Sequence, residues 1–154
     1  MSKLILTENA RKVILEDAEK TYPHGCCGFF YGNDDDERVV LEARPVENTK
    51  EENRERRFEI SAKDYLQAEQ YADENDLTLL GVYHSHPEHP AIPSEHDLRQ
   101  ALPYFSYIIV SVKKAKTVNV LSWKLNDQGR FAEETVVNKN NPFNVDTFLS
   151  SFHQ

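Results

Sequence analysis

The chain opens on helical spacing. Ala10, Val13, Ile14 and Ala18 fall near one face of residues 8–21, Thr7 stands where an N-cap belongs, and Pro23 forbids continuation. The period then changes. "CCGFFYG" (26–32) is an apolar run that predicts a short buried strand ending at Gly32, and the acidic "NDDDE" (33–37) predicts a turn. "RVVLEARPVEN" (38–48) predicts another strand. The charge run "TKEENRERR" (49–57) fits no core and predicts a solvated loop, with contact to a partner as the lesser alternative. Alternation returns in "RFEIS" (57–61), and Ser61 with Asp64 forms an S-x-x-D capping box that opens a helix over about 62–75.

"LTLLGVYHSH" (77–86) is rich in aliphatic residues and predicts a central strand. A second box, Ser94 with Asp97, opens a short helix that Pro103 stops. "YFSYIIVSV" (104–112), "TVNVLSWKLN" (117–126) and "RFAEETVV" (130–137) predict three more strands, linked by turn-like "KKAK" and "NDQG". Mixed strands with two or three helices, no repeat and no linker specify an α/β or α+β domain over residues 1–137. Residues 138–154 read as a C-terminal tail. Its Phe143, Phe148, Leu149 and Phe152 are expected to pack on the domain or on a second subunit, which would make a homodimer.

Composition narrows the class. A chain of 154 residues, 39% hydrophobic and 29% charged, is long enough to bury one core without staples. A formal charge of −8 argues against binding nucleic-acid phosphates, which needs clustered Lys and Arg. No apolar run approaches the roughly 20 residues of a membrane helix, and the N-terminal segment turns charged too early for a signal peptide. The two cysteines, Cys26 and Cys27, are adjacent and cannot form an ordinary disulfide, so a reducing cytoplasm is the expected location.

Four of the six histidines lie between His84 and His96. His84 and His86, two apart at the end of a strand, put both imidazoles on one face. Asp97 returns after a loop stiffened by Pro87, Pro90 and Pro93. Two neutral nitrogens and a carboxylate, with a fourth position left for water, are the donor set of a catalytic zinc site. The structural alternative stays open at this point: strand ends collect histidines for many reasons, and Ser94 and Asp97 already have work as a helix cap. His89 and His96 read as surface bystanders.

The spacing H-x-H-P…S-x-x-D in His84, His86, Pro87, Ser94 and Asp97 closely resembles the JAMM motif of the MPN+ metalloprotease family. "YPHGCCGFFYG", "RRFEISAKDYL" and "YFSYIIVSV" also sit where that fold would place them, so the resemblance spans about residues 5–137 and suits a small prokaryotic-type member. It implies a curved mixed β-sheet flanked by helices. It also implies a zinc-dependent hydrolase that cuts isopeptide or peptide bonds at the C-terminal tails of ubiquitin-like or sulfur-carrier β-grasp proteins. By that resemblance His84, His86 and Asp97 hold one zinc ion, and Ser94 steadies the oxyanion. A substrate tail would lie extended, as a strand added beside the sheet.

One departure matters. The family's general base is a glutamate in a P-x-E-x-C-G segment; here Pro23, Cys27 and Gly28 match, and Gly25 occupies the glutamate position. Glycine has no group to take a proton, and general acid–base assistance is worth about 10²–10⁴-fold in rate. The chain as it stands is therefore expected to bind zinc and substrate but to cleave very slowly. Glu88 and Glu95 read as solvated carboxylates and not as replacements. His24 is expected to point elsewhere, and Cys26 and Cys27 read as small buried strand residues. Two origins fit Gly25: a deliberate substitution that traps substrate, or a natural loss of catalysis that leaves a binding module for a ubiquitin-like partner. The intact metal-side set favours the first. A zinc phosphohydrolase is disfavoured, because no glycine-rich phosphate cradle is present.

Overall fold

A computed structural model describes residues 2–46 and 59–140. Its elements run β1 (Lys3–Thr7), α1 (Glu8–Thr21), β2 (Cys27–Asp34), β3 (Arg38–Val46), α2 (Ala62–Glu74), β4 (Thr78–Pro87), α3 (Glu95–Gln100), β5 (Ser106–Lys113), β6 (Lys116–Leu125) and β7 (Phe131–Lys139). The mixed sheet of the sequence reading is there, and it curls until it closes. The strand order is β1-β3-β2-β4-β5-β6-β7, with β7 pairing back onto β1. The pairs β1–β3, β1–β7 and β4–β5 are parallel and the others antiparallel.

The sheet has a different core on each face. Ala10, Ile14 and Ala18 of α1 meet Leu4, Leu6, Phe30, Val40, Tyr83, Ile108 and Val110 on one side. Ala68 and Ala72 of α2 meet Cys27, Phe29, Tyr31, Val82 and Tyr107 on the other. Alternation along a strand assigns these faces, so His84 and His86 continue the Val82 row on the α2 face. Gly28 allows the two cores to close around β2: a Cβ there would stand 2.3 Å from Tyr83 Cε2 and 2.5 Å from the Arg44 carbonyl oxygen.

Four details differ from the sequence reading. β1 was not expected; its apolar run abuts the helix, and its partners are β3 and β7, far along the chain. Thr7 does occupy the N-cap position of α1, but its hydroxyl donates to the Val40 carbonyl at 2.6 Å and makes no cap bond. The strand expected over 57–61 is absent from its described part, Glu59–Ser61, because Ser61 is already committed to capping α2. The 138 boundary falls inside β7, which continues to Lys139. The charged run 49–57 and the tail residues Phe143, Phe148, Leu149 and Phe152 lie outside the described residues.

Candidate metal centre

Three elements deliver the side chains. β4 presents His84 and His86, a short loop turns the chain, and the first turn of α3 presents Asp97. The Ser94 box forms as expected: Ser94 Oγ accepts from Asp97 N–H at 3.1 Å, and Asp97 Oδ2 accepts from Ser94 N–H at 2.8 Å. This cap fixes the carboxylate's rotamer, so one residue ends the loop, starts the helix and faces the histidines.

The convergence is tight. His84 Nε2 and His86 Nε2 lie 3.1 Å apart, and Asp97 places Oδ1 3.2 Å from the first and Oδ2 3.2 Å from the second. All three residues are buried, at 2%, 8% and 4% exposure. Burial lowers the His84 pKa from its ordinary value and outweighs the pull of Asp97, which keeps the ring neutral. Burial opposes the charge on Asp97 too. There the interaction with His84, with His86 and the Ser94 N–H bond beside it, wins and holds the carboxyl far below the usual carboxylate range. Neutral imidazole beside ionised carboxylate is the protonation state a divalent cation requires.

The donor set fits zinc in geometry as well as in chemistry. Ligand atoms about 2.0–2.1 Å from a tetrahedral zinc lie roughly 3.3 Å from one another. The two imidazole nitrogens, 3.1 Å apart, need only a slight opening, and one ligand atom from each of the three residues lies within 4.8 Å of the others. The tautomer is also fixed. His86 Nδ1 lies 2.8 Å from the Pro90 carbonyl oxygen, which can only accept, so Nδ1 carries the proton and Nε2 turns its lone pair inward.

The loop that supplies Pro90 is held along its length. Glu88 N–H donates to the Val112 carbonyl at 2.7 Å, Ser111 Oγ donates to the His89 carbonyl at 2.5 Å, and Trp123 Nε1–H donates to the Ala91 carbonyl at 3.0 Å. Sequence reasoning missed Ser111 and Trp123. The only signal was the three prolines, which marked the loop as stiff without naming what held it.

The remaining candidates fall as follows. His89 is exposed, and His96 is half-buried beside Gln100, whose side-chain amide donates to it at 2.6 Å; neither joins the triad. Cys26 and Cys27 are buried and free, and burial pushes the Cys27 thiol up to about 12 and Cys26 higher still, so neither offers a thiolate. Ser94 is exposed at the mouth of the site. Its hydroxyl accepts in the cap, a role that leaves the O–H to donate.

Gly25 is buried and lies two residues before the β2–β4 ladder, which begins at Cys27. Cys27 pairs with His84, Ser85 N–H donates to the Cys26 carbonyl at 3.1 Å, and Cys26 N–H donates to Ser85 Oγ at 2.8 Å. Extended by one step beyond the Cys26–Ser85 bonds, this register would bring residue 25 opposite His86, and strand parity there would put a side chain on the Cys27 face.

Residues 7–126 match the family described as prokaryotic homologs of the JAB domain. A desampylase of Pyrococcus furiosus is 28% identical over 137 residues, 88% of this chain and 91% of that protein. A desampylase of Haloferax volcanii is 34% identical over 115 residues, covering 71% of this chain and 81% of its own. A probable TtuB-protein conjugate cleaving protease of Thermus thermophilus is 41% identical over 44 residues, 29% of this chain and 30% of that protein. The solution structure of a Desulfitobacterium hafniense protein superposes with a TM-score of 0.77 at 31% identity, covering 89% of this chain and 93% of that one.

Proposed function

The chain belongs to the prokaryotic JAB/MPN family, and from that premise we propose that it is a zinc metallo-isopeptidase for ubiquitin-like modifiers, with glycine standing where its general base belongs. The observation that carries this reading is the closed triangle of His84 Nε2, His86 Nε2 and the Asp97 carboxylate. The family is typically metal-dependent, and the two desampylases and the conjugate-cleaving protease among its relatives support a protein conjugate as the substrate class. Zinc bound by these three residues would polarise a water and lower its pKa toward neutrality.

The protein's own groups define the rest. The His86 tautomer is set by Pro90, and the Asp97 rotamer by Ser94, so the donors need little reorganisation. Ser94 O–H is placed to donate to oxygen charge that develops on a carbonyl under attack. Among the described residues each strand has two neighbours, but β1 covers β3 only over Arg38–Val40, so residues 41–46 of β3 pair on the β2 side alone. An extended C-terminal tail of a β-grasp partner would add beside that part of β3. A homodimer through residues 138–154 belongs to the same proposal, and so does a reducing, cytoplasmic setting, which suits two buried thiols.

Residue 25 limits the rate. A glutamate there would face the histidine side of the sheet and could take a proton from the attacking water and pass it to the leaving amine; glycine can do neither. Gly25→Glu is expected to confer cleavage of ubiquitin-like fusions, abolished by a chelator and restored by zinc. An inert Gly25→Glu protein across a panel of β-grasp fusions would sink the enzymatic reading.

Gly25 itself favours one second reading, a binding module that recognises a ubiquitin-like partner without cutting it. That module would bind its partner equally well with and without zinc, and calorimetry on chelated and zinc-loaded protein separates the two.

A further inference from the structure

The segment Tyr22–Cys26 joins α1 to β2 and carries position 25. At its far end it is tied to β4 by the two Cys26–Ser85 bonds. At its near end the tie is a side chain: Tyr22 O–H donates to the Glu88 carboxylate at 2.7 Å. Glu88 lies two residues beyond His86, so this bond links the start of the position-25 segment to the end of the histidine strand.

Glu88 is itself held from three directions. Its carboxylate also accepts from Lys114 N–H in the β5–β6 turn at 2.7 Å, and its own N–H donates to Val112 at 2.7 Å. Its backbone is left-handed, with φ 60°, a conformation that disfavours any residue with a Cβ and persists only where surrounding bonds over-determine it. One exposed carboxylate thus joins the α1–β2 segment, the end of β4 and the β5–β6 turn. Both bonds to the carboxylate fall on one oxygen, Oε2.

We propose that Tyr22 and Glu88 form a latch, a pair of positioning residues that hold position 25 against His86. The catalytic consequence rests on the isopeptidase reading; the holding itself does not, and the experiment separates them.

The first arm uses the protein with Gly25 and measures amide hydrogen exchange. Tyr22→Phe and Glu88→Ala are each expected to speed exchange at residues 24–26 by about tenfold, in line with loss of one charge-assisted hydrogen bond. Exchange in β6 and β7 should not change. Glu88→Gln, whose amide oxygen can still accept, should retain protection. Unchanged exchange in Tyr22→Phe overturns the latch.

The second arm places the same changes in the Gly25→Glu protein and follows turnover of a ubiquitin-like fusion. Each single change should lower kcat about tenfold with KM and zinc stoichiometry intact, and Glu88→Gln should rescue. The double change should lose no more than the worse single, because both break one interaction. Additive losses, or a rise in KM at constant kcat, overturn the positioning role. If Gly25→Glu is itself inert, the isopeptidase reading fails, and the exchange arm alone still decides the latch.

Discussion

Arg38 is 5% exposed, yet it is a full cation inside one end of the barrel. Its guanidinium donates to the Leu80 and Tyr104 carbonyls, to Ser106 Oγ at 2.8 Å and to Asp34 at 3.0 Å, and it lies over the Tyr104 ring. A buried charge left without such partners would cost several kcal/mol. The bond from Arg38, helped by the Tyr104 hydroxyl and opposed by partial burial, holds Asp34 below its ordinary 3.8. A depressed folded value means that Asp34 contributes stability above the unfolded value and loses it as pH falls through the folded one. Asp34→Asn is therefore expected to lower stability near neutrality, with the gap to the parent closing below about pH 3.8. Urea denaturation of both proteins from about pH 7 to about pH 2.5 checks this; a gap that stays constant with pH would contradict the ion pair.

Among the elements, those written in local chemistry were legible and those made by distant pairing were not. Both capping boxes, Ser61 with Asp64 and Ser94 with Asp97, are four-residue signals and form as read. His84, His86 and Asp97 were legible for the same reason: a strand's parity and a helix cap place all three within one short stretch. β1 was not legible, because nothing in "KLILT" announces parallel partners on β3 and β7. Barrel closure depends on that strand and was lost with it. Trp123 and Tyr22 reach the site loop across 32 and 66 residues, beyond the range of any spacing rule. The β5–β6 turn shows an intermediate case. "KKAK" reads as a turn but lacks glycine, and the two-residue loop holds Lys114 at φ 50° and Ala115 at φ 66°. Both central residues are left-handed, the geometry that favours Asn-Gly. Ala115→Gly is expected to raise stability by about 1 kcal/mol, since alanine bears a steric penalty there that glycine lacks. An unchanged or lowered denaturation midpoint would count against the turn geometry.

At the scale of the whole molecule, β1, β3, β4, β5 and β7 all point the same way, so their C-terminal ends gather at one end of the barrel. The triad sits at that end. It draws on β4 for two donors and α3 for the third, and its supporting loop is bonded to β5 and β6 through Ser111 and Trp123. A cation bound there would cross-link α3 to the sheet and would be lost on unfolding, because the donors converge only in the native chain. Binding therefore stabilises the fold by linkage, about 2.7 kcal/mol when free metal is 100-fold above its dissociation constant. Zinc is expected to raise Tm by several degrees, with chelator reversing the rise. Asp97→Asn makes the comparison specific: it keeps an acceptor for Ser94 N–H, so the α3 cap survives, while the charged donor is gone. Its Tm should respond little to zinc, and His84→Ala and His86→Ala should respond as weakly. An equal rise in the parent and in all three variants would place the metal somewhere other than this triad. The prediction needs no turnover, so it tests the metal centre independently of what Gly25 does to the rate.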